Sequence, residues 1–219
     1  MGIEYRTFDL EGAEVRALED GAPLITGYAV VFDSLSEVMV DARGRRFRER
    51  IAPVTFDRVL ASAPDVRALW NHNADYPLAR TRNNTLRIAK DVRGLRIEVQ
   101  PADTSWGVDA VKSIRRGDVS GMSFAFAVNG QAGDVWEKPG ADGIALRTIV
   151  DADLYEVSPV TFPAYPATQV TARSVTVPDW TESDSQEAGE IAAETPAQER
   201  QDELRRRWYQ ARLAQYERT

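Results

Sequence analysis

The chain of 219 residues contains no cysteine. That absence excludes disulfides, thiolate metal sites and cysteine nucleophiles together, and it leaves the redox compartment open. Histidine is almost absent: His72 stands alone. Any acid–base chemistry that uses an imidazole near neutral pH must therefore run through that position. No apolar stretch reaches the ~18–20 residues that a membrane-spanning helix needs. The opening Met1-Gly2-Ile3-Glu4-Tyr5-Arg6 has neither a basic flank nor an apolar run, so no signal peptide is expected and the expected setting is cytosolic. A net charge of −7 argues against nucleic acid or an anionic membrane as partner.

What is present is ordinary for a globular protein, 43% apolar and 28% charged, in a length that allows one good-sized domain plus an appendage. Strand signals dominate. Ile3 to Asp9 alternates weakly, and Leu24 to Phe32 is β-branched and aromatic, with Gly27 suggesting a bulge or a close backbone approach. Asp41 to Glu49 reads as a loop or hairpin end. Val66 to Trp70 is a short strand that delivers His72 at its end, and Thr85 to Ala89 pairs with Gly94 to Gln100 around an Asp91–Gly94 turn. Val119 to Val128 alternates strictly: Met122, Phe124, Phe126 and Val128 share one face, and Ser123, Ala125 and Ala127 the other. Gly130 to Gly143 reads as a glycine-rich loop. Ile144 to Val160 is the longest strand-forming stretch, Ser158 to Pro166 a proline-stiffened loop, and Val170 to Val177 one more strand.

Two helices interrupt the strands. Val54 to Ala61 follows Pro53, and a second helix follows Asp103-Thr104-Ser105 and ends at Arg115-Arg116-Gly117, where cations and a glycine suit a C-terminus. After Pro178 the character changes. Residues 179–199 carry seven acidic side chains and no basic one, the composition of a solvated linker, and 200–219 reads as an amphipathic helix bearing Leu204, Trp208, Ala211 and Tyr216. The expected organisation is a mainly β domain over 1–178, an acidic disordered linker over 179–199 and a terminal helix that docks on a partner, forms a homodimer or packs back.

Ser123 draws attention as a nucleophile because Gly121 and two alanines leave its strand face open. A serine hydroxyl needs a base, and His72 is the one imidazole available. A third group should orient that imidazole. Glu156 is the best candidate, as a carboxylate in the apolar Leu154-Tyr155-Glu156-Val157 is costly unless paired. Asp151 and Asp153 compete, and an ideal strand would put them on the face opposite Glu156. An order with the acid between base and nucleophile leaves Asp75, Asp91, Asp103 and Asp109 open. Gly-Met-Ser-Phe-Ala is not the nucleophile elbow of α/β-hydrolases. Spacing alone leaves a serine hydrolase one option among others.

Four ordered segments add to this: Gly27 to Phe32 with Phe47 to Pro53, Trp70-Asn71-His72, Arg116 to Phe126, and Leu154 to Tyr165. Together they resemble the prohead (capsid maturation) protease family of tailed bacteriophages, over roughly Leu24 to Ser174. The resemblance implies a fold like the herpesvirus assemblins: mainly β (α+β), a closed or partly closed β-barrel with flanking helices. It implies a serine endopeptidase that cuts the scaffold segment from the major capsid protein inside the assembling procapsid in the host cytoplasm, often cutting itself. Carried over by position, His72 is the general base, Ser123 the nucleophile and Glu156 the third member. Herpesvirus relatives use a second histidine there, which this chain lacks, and Ala125 stands where relatives often have glycine. No cofactor and no metal are expected. The competing readings are a non-catalytic procapsid assembly or scaffold protein on the same barrel, and a small-molecule serine esterase. The Gly117–Gly121 turn and a Val157-Ser158 corner are the expected sources of oxyanion donors.

Overall fold

A computed structural model describes residues 2–9, 14–161, 170–172 and 175–180. In chain order these form β1 (Glu4–Asp9), β2 (Glu14–Ala17), β3 (Pro23–Val31), β4 (Met39–Asp41), β5 (Arg46–Ile51), α1 (Asp57–Ala61), β6 (Arg67–Trp70), β7 (Asn73–Arg80), β8 (Leu86–Lys90), β9 (Gly94–Val99), α2 (Ser105–Arg116), β10 (Gly121–Val128), β11 (Asp134–Glu137), β12 (Ala145–Ile149), β13 (Ala152–Val160) and β14 (Val170–Ala172). The expected linker and terminal helix, and most of the proline-rich loop, lie outside the described residues.

The strands make three sheets, ordered β1-β10-β13-β6-β7, β11-β12-β5-β4-β14 and β2-β3-β9-β8. The mainly β expectation holds. Among the described residues no sheet closes on itself, so the strand orders describe three open sheets and not a closed barrel. The apolar face of β10 supplies the centre of the core. Met122, Phe124 and Phe126 are fully buried, and they pack with Phe56, Ile25, Ile97 and Leu95 in one cluster. The rings of Phe124 and Phe126 stack 5.1 Å apart, and Phe56 meets Phe124 edge-on.

α2 starts and stops as its sequence predicts. The Thr104 hydroxyl accepts from the Gly107 N–H at 3.2 Å, and Gly117 closes the helix in the left-handed region at φ 79°. Its Ala110, Val111 and Ile114 face the core. α1 is shorter than expected. Thr55 folds the preceding residues into turns, its one hydroxyl proton shared between the carbonyls of Ala52 (2.7 Å) and Ile149 (2.8 Å), so the helix begins only at Asp57.

Two further expectations are corrected. The glycine-rich stretch contains β11, because Val135 and Trp136 pair with Thr148 and Arg147 and the Trp136 ring packs on Phe47. The long strand expected over 144–160 is broken at Val150 and Asp151, whose two N–H groups both donate to the Gly133 carbonyl (2.8 and 3.0 Å). A side chain at Gly133 would meet the Asn129 backbone at 2.5 Å, so only glycine admits this approach. The break moves the chain from one sheet to the next: β12 pairs with β5 and β11, and β13 with β10 and β6.

The first two sheets are joined by buried charge. Arg147 on β12 donates to Glu4 on β1 (2.8 Å), Glu49 on β5 (2.9 Å) and Asp134 on β11 (2.7 Å). Arg6 on β1 donates to the same Glu4 and Glu49, both at 2.6 Å. Burial pushes the Glu4 carboxyl up, but Arg147 and Arg6 outweigh it and hold the group below its ordinary value of 4.5. The unfolded chain therefore binds more protons than the folded one. The stabilisation is complete above the unfolded value and is lost as pH falls through the folded one.

Arg147→Met is expected to lower unfolding free energy by about 3–5 kcal/mol in urea titration, because it strands buried carboxylates. The wild-type midpoint should fall when pH is lowered from about 5 to about 3, with little change between about 6 and 8.

Candidate active site

His72 occupies a two-residue turn. Trp70 and Asn73 are paired across β6 and β7, and the Asn71 and His72 between them have φ of 52° and 60°. Positive φ at both central positions is the mark of a type I′ hairpin turn, which asparagine and glycine favour and which a histidine occupies at a cost. The turn is held to the end of β13. Asn71 N–H donates to the Pro159 carbonyl (3.1 Å), and the Asn71 side-chain oxygen accepts from Thr161 N–H (2.9 Å). The strain places one side chain at one spot, as strained backbone at functional sites does.

The sheet register presents the other groups. In the antiparallel pairing of β10 with β13, Ser123 lies opposite Ser158 and Ala125 opposite Glu156; on the other side of β10, β1 places Thr7 beside Ser123 and Tyr5 beside Ala125. Directly opposed residues share a face. Two rows therefore run across three strands, Tyr5-Ala125-Glu156 and Thr7-Ser123-Ser158. The imidazole lies along the first row, edge-on to the Tyr5 ring with centroids 4.9 Å apart and with Nδ1 hydrogen-bonded to Glu156 Oε1. The other carboxylate oxygen accepts from the Ser158 hydroxyl at 2.5 Å, and the Ser158 oxygen accepts from the His72 backbone N–H at 3.3 Å.

His72 and Glu156 are thus brought together, while Ser123 stands on the same face one row away. Its side chain is fully buried, and its hydroxyl donates to the Arg6 carbonyl at 3.0 Å instead of to the imidazole. Three of the six competing acids are engaged elsewhere. Asp151 and Asp153 both pair with Arg58, and Asp91 accepts from the Tyr28 hydroxyl at the β8–β9 turn. The face expected for Asp153 is corrected. The register shifts between Ala125 and Phe126 so that Tyr155 has no partner, and this bulge puts Asp153 on the same face as Glu156. Val157 and Ser158 lie inside β13, so the corner expected there is absent.

Sequence reasoning missed Tyr5, the turn itself and the contacts of the Ser158 side chain, having named Ser158 only as a backbone oxyanion donor. Ser158 carried a signal: it stands two residues beyond Glu156, the spacing that puts two strand residues on one face. β7 was hidden because Pro77 interrupts it and its first five residues are exposed. Among the described residues no cluster of acids and histidine could hold a metal ion.

An imidazole hydrogen-bonded to a carboxylate, with a buried serine one row away on the same face, stands on a mainly β scaffold, and the class of protein comes from the family comparison. The model for the caudovirus prohead serine protease matches residues 11–181. The chain belongs to that family. Among solved structures it is similar to the capsid assembly protease gp21 of bacteriophage T4, with a TM-score of 0.46 and 12% identity, covering 72% of this chain and 96% of that one. No curated protein matches it.

Asn71→Ala is expected to cost about 1–2 kcal/mol, since alanine disfavours the left-handed turn and leaves Thr161 without its acceptor. Asn71→Gly keeps the backbone freedom and should cost less. Paired thermal melts of the two variants separate backbone strain from the lost hydrogen bond.

Proposed function

We propose that the chain is a serine endopeptidase that cuts the scaffold segment from a major capsid protein, and cuts itself, within the assembling procapsid in the host cytoplasm. Family membership supports the peptidase class, and the hydrogen bond between His72 and Glu156 is the observation that carries the assignment of roles. Nδ1–H donates to the carboxylate, which leaves Nε2 as the acceptor that a general base needs. Glu156 holds the ring in that tautomer and stabilises the imidazolium that forms.

In this reading the Ser123 hydroxyl leaves the Arg6 carbonyl and passes its proton to Nε2 as the oxygen attacks a peptide carbonyl. The imidazolium then protonates the departing amine, and water, activated by the same nitrogen, hydrolyses the acyl-enzyme. His72 retains partial access to solvent, with 29% of its side chain exposed, as an exchanging proton carrier requires. Proteolysis by a serine nucleophile and an imidazole base needs no cofactor. The partners are the capsid protein and its scaffold segment, with a homodimer as one possible state of the enzyme. The acidic stretch over 179–199, read as an open linker between the protease domain and a terminal helix, is the place where self-cleavage would release a tail. A partly closed barrel is the corresponding reading of the three sheets.

The test is co-expression of the full chain with its capsid protein, followed by mass spectrometry of both. Ser123→Ala and His72→Ala should abolish scaffold removal and any self-cleavage, and Glu156→Gln should slow it by roughly 10²–10⁴-fold by misplacing the imidazole proton. Processing that continues unchanged with Ser123→Ala makes the chain an assembly protein without this chemistry. Turnover of a generic ester without scaffold cleavage makes it an esterase.

A further inference from the structure

Resting on the peptidase reading, we infer that Ser158 is the residue that positions the Glu156–His72 pair for proton transfer. It is a positioning residue, since it acts through the acid and the base and not on the substrate.

Ser158 is fully buried near the C-terminal end of β13. A hydroxyl has one proton to give, and here it goes to Glu156 Oε2 at 2.5 Å. The same oxygen accepts the His72 backbone N–H at 3.3 Å. One small group thus ties the side chain of the acid to the main chain of the base. Each attachment answers a specific freedom. A carboxylate held through Oε1 alone can rotate about its last torsion, which is soft for glutamate. Anchoring Oε2 sets the plane in which Oε1 meets Nδ1. The imidazole stands on a turn residue at φ 60°, a backbone state with easier alternatives nearby. The N–H contact holds that residue down onto β13, beside the Asn71–Pro159 and Asn71–Thr161 bonds that hold its neighbour.

The register explains why this role falls to Ser158. It shares a face with Glu156 two positions away and lies directly opposite Ser123, so the nucleophile's cross-strand neighbour is the group that braces the other two. With its proton given to Glu156, the Ser158 hydroxyl is turned to the acid and not to the imidazole ring, which distinguishes it from a second nucleophile.

The lone histidine makes the inference measurable, because the imidazole nitrogens of the full chain give one set of resonances. Ser158→Ala should lower kcat on the capsid substrate by about 10–100-fold with KM within about twofold. It should also shift and broaden the ring Nδ1 signal while leaving the thermal midpoint near the wild-type value. Ser158→Cys, close in volume and a much weaker donor, should move both readouts the same way and decides the matter if the alanine variant does not fold. A folded variant with wild-type kcat and an unchanged imidazole spectrum overturns the inference. So does a fluorophosphonate label that maps to Ser158 in place of Ser123. If the wild-type chain cleaves nothing, the peptidase reading fails by itself, and the imidazole spectrum still reports whether Ser158 holds the pair.

Discussion

The arrangement depends on the register of β10 against β13. Side chains alternate faces along a strand, so a slip of one residue would move Ser123 into the core and expose a phenylalanine in its place. Met122, Phe124 and Phe126 prevent that slip. They are fully buried against Phe56 and its neighbours, and burying each large apolar side chain is worth about 1.5–3 kcal/mol. The hydrophobic effect therefore selects, on one face, the alignment that sets Ser123 opposite Ser158 and Ala125 opposite Glu156 on the other. The chemistry of the site is a consequence of how its reverse side packs.

The bulge at Tyr155 belongs to the same constraint. By inserting one unpaired residue it turns Asp153 onto the face that Glu156 shares with Ser123, within reach of Arg58. A bulge re-aims side chains without interrupting the sheet. Beyond it, the parallel pairing of β13 with β6 brings the β6–β7 turn alongside. The left-handed Asn71-His72 backbone then sets the imidazole against Tyr5 and Glu156, the two residues paired with Ala125 on either side.

β1 closes the other flank with two different faces. Its Glu4 and Arg6 side chains join Glu49, Asp134 and Arg147 in a buried network that anchors the strand to the neighbouring sheet. Its opposite face offers Tyr5 to the imidazole, and its backbone offers the Arg6 carbonyl to Ser123. Such a network contributes less net stability than its number of contacts suggests, because desolvation offsets much of the attraction. Its consequence is positional: the strand whose Arg6 carbonyl accepts the Ser123 hydrogen bond is tied to a second sheet by charges that cannot be removed singly without a large penalty.

How much of this was legible in the sequence follows from the range of each interaction. Local rules located α2, from its Thr104 cap to its Gly117 terminus, and the alternation of β10, because capping and face alternation act within a few residues. The single histidine singled out His72, and the cost of a lone carboxylate in an apolar strand singled out Glu156. Local rules misjudged α1, β11 and the 144–160 stretch, where Thr55, Trp136 and Gly133 answer to partners distant in the chain. Sequence alone determined which side chains were available for chemistry and which strand faces would be apolar. Only the tertiary structure decided that Asp151 and Asp153 go to Arg58, that Glu156 goes to His72, and that Ser158 touches both Glu156 and the His72 backbone. Those choices rest on cross-strand register and on a bulge, both set by packing between residues scores of positions apart, which no local pattern encodes.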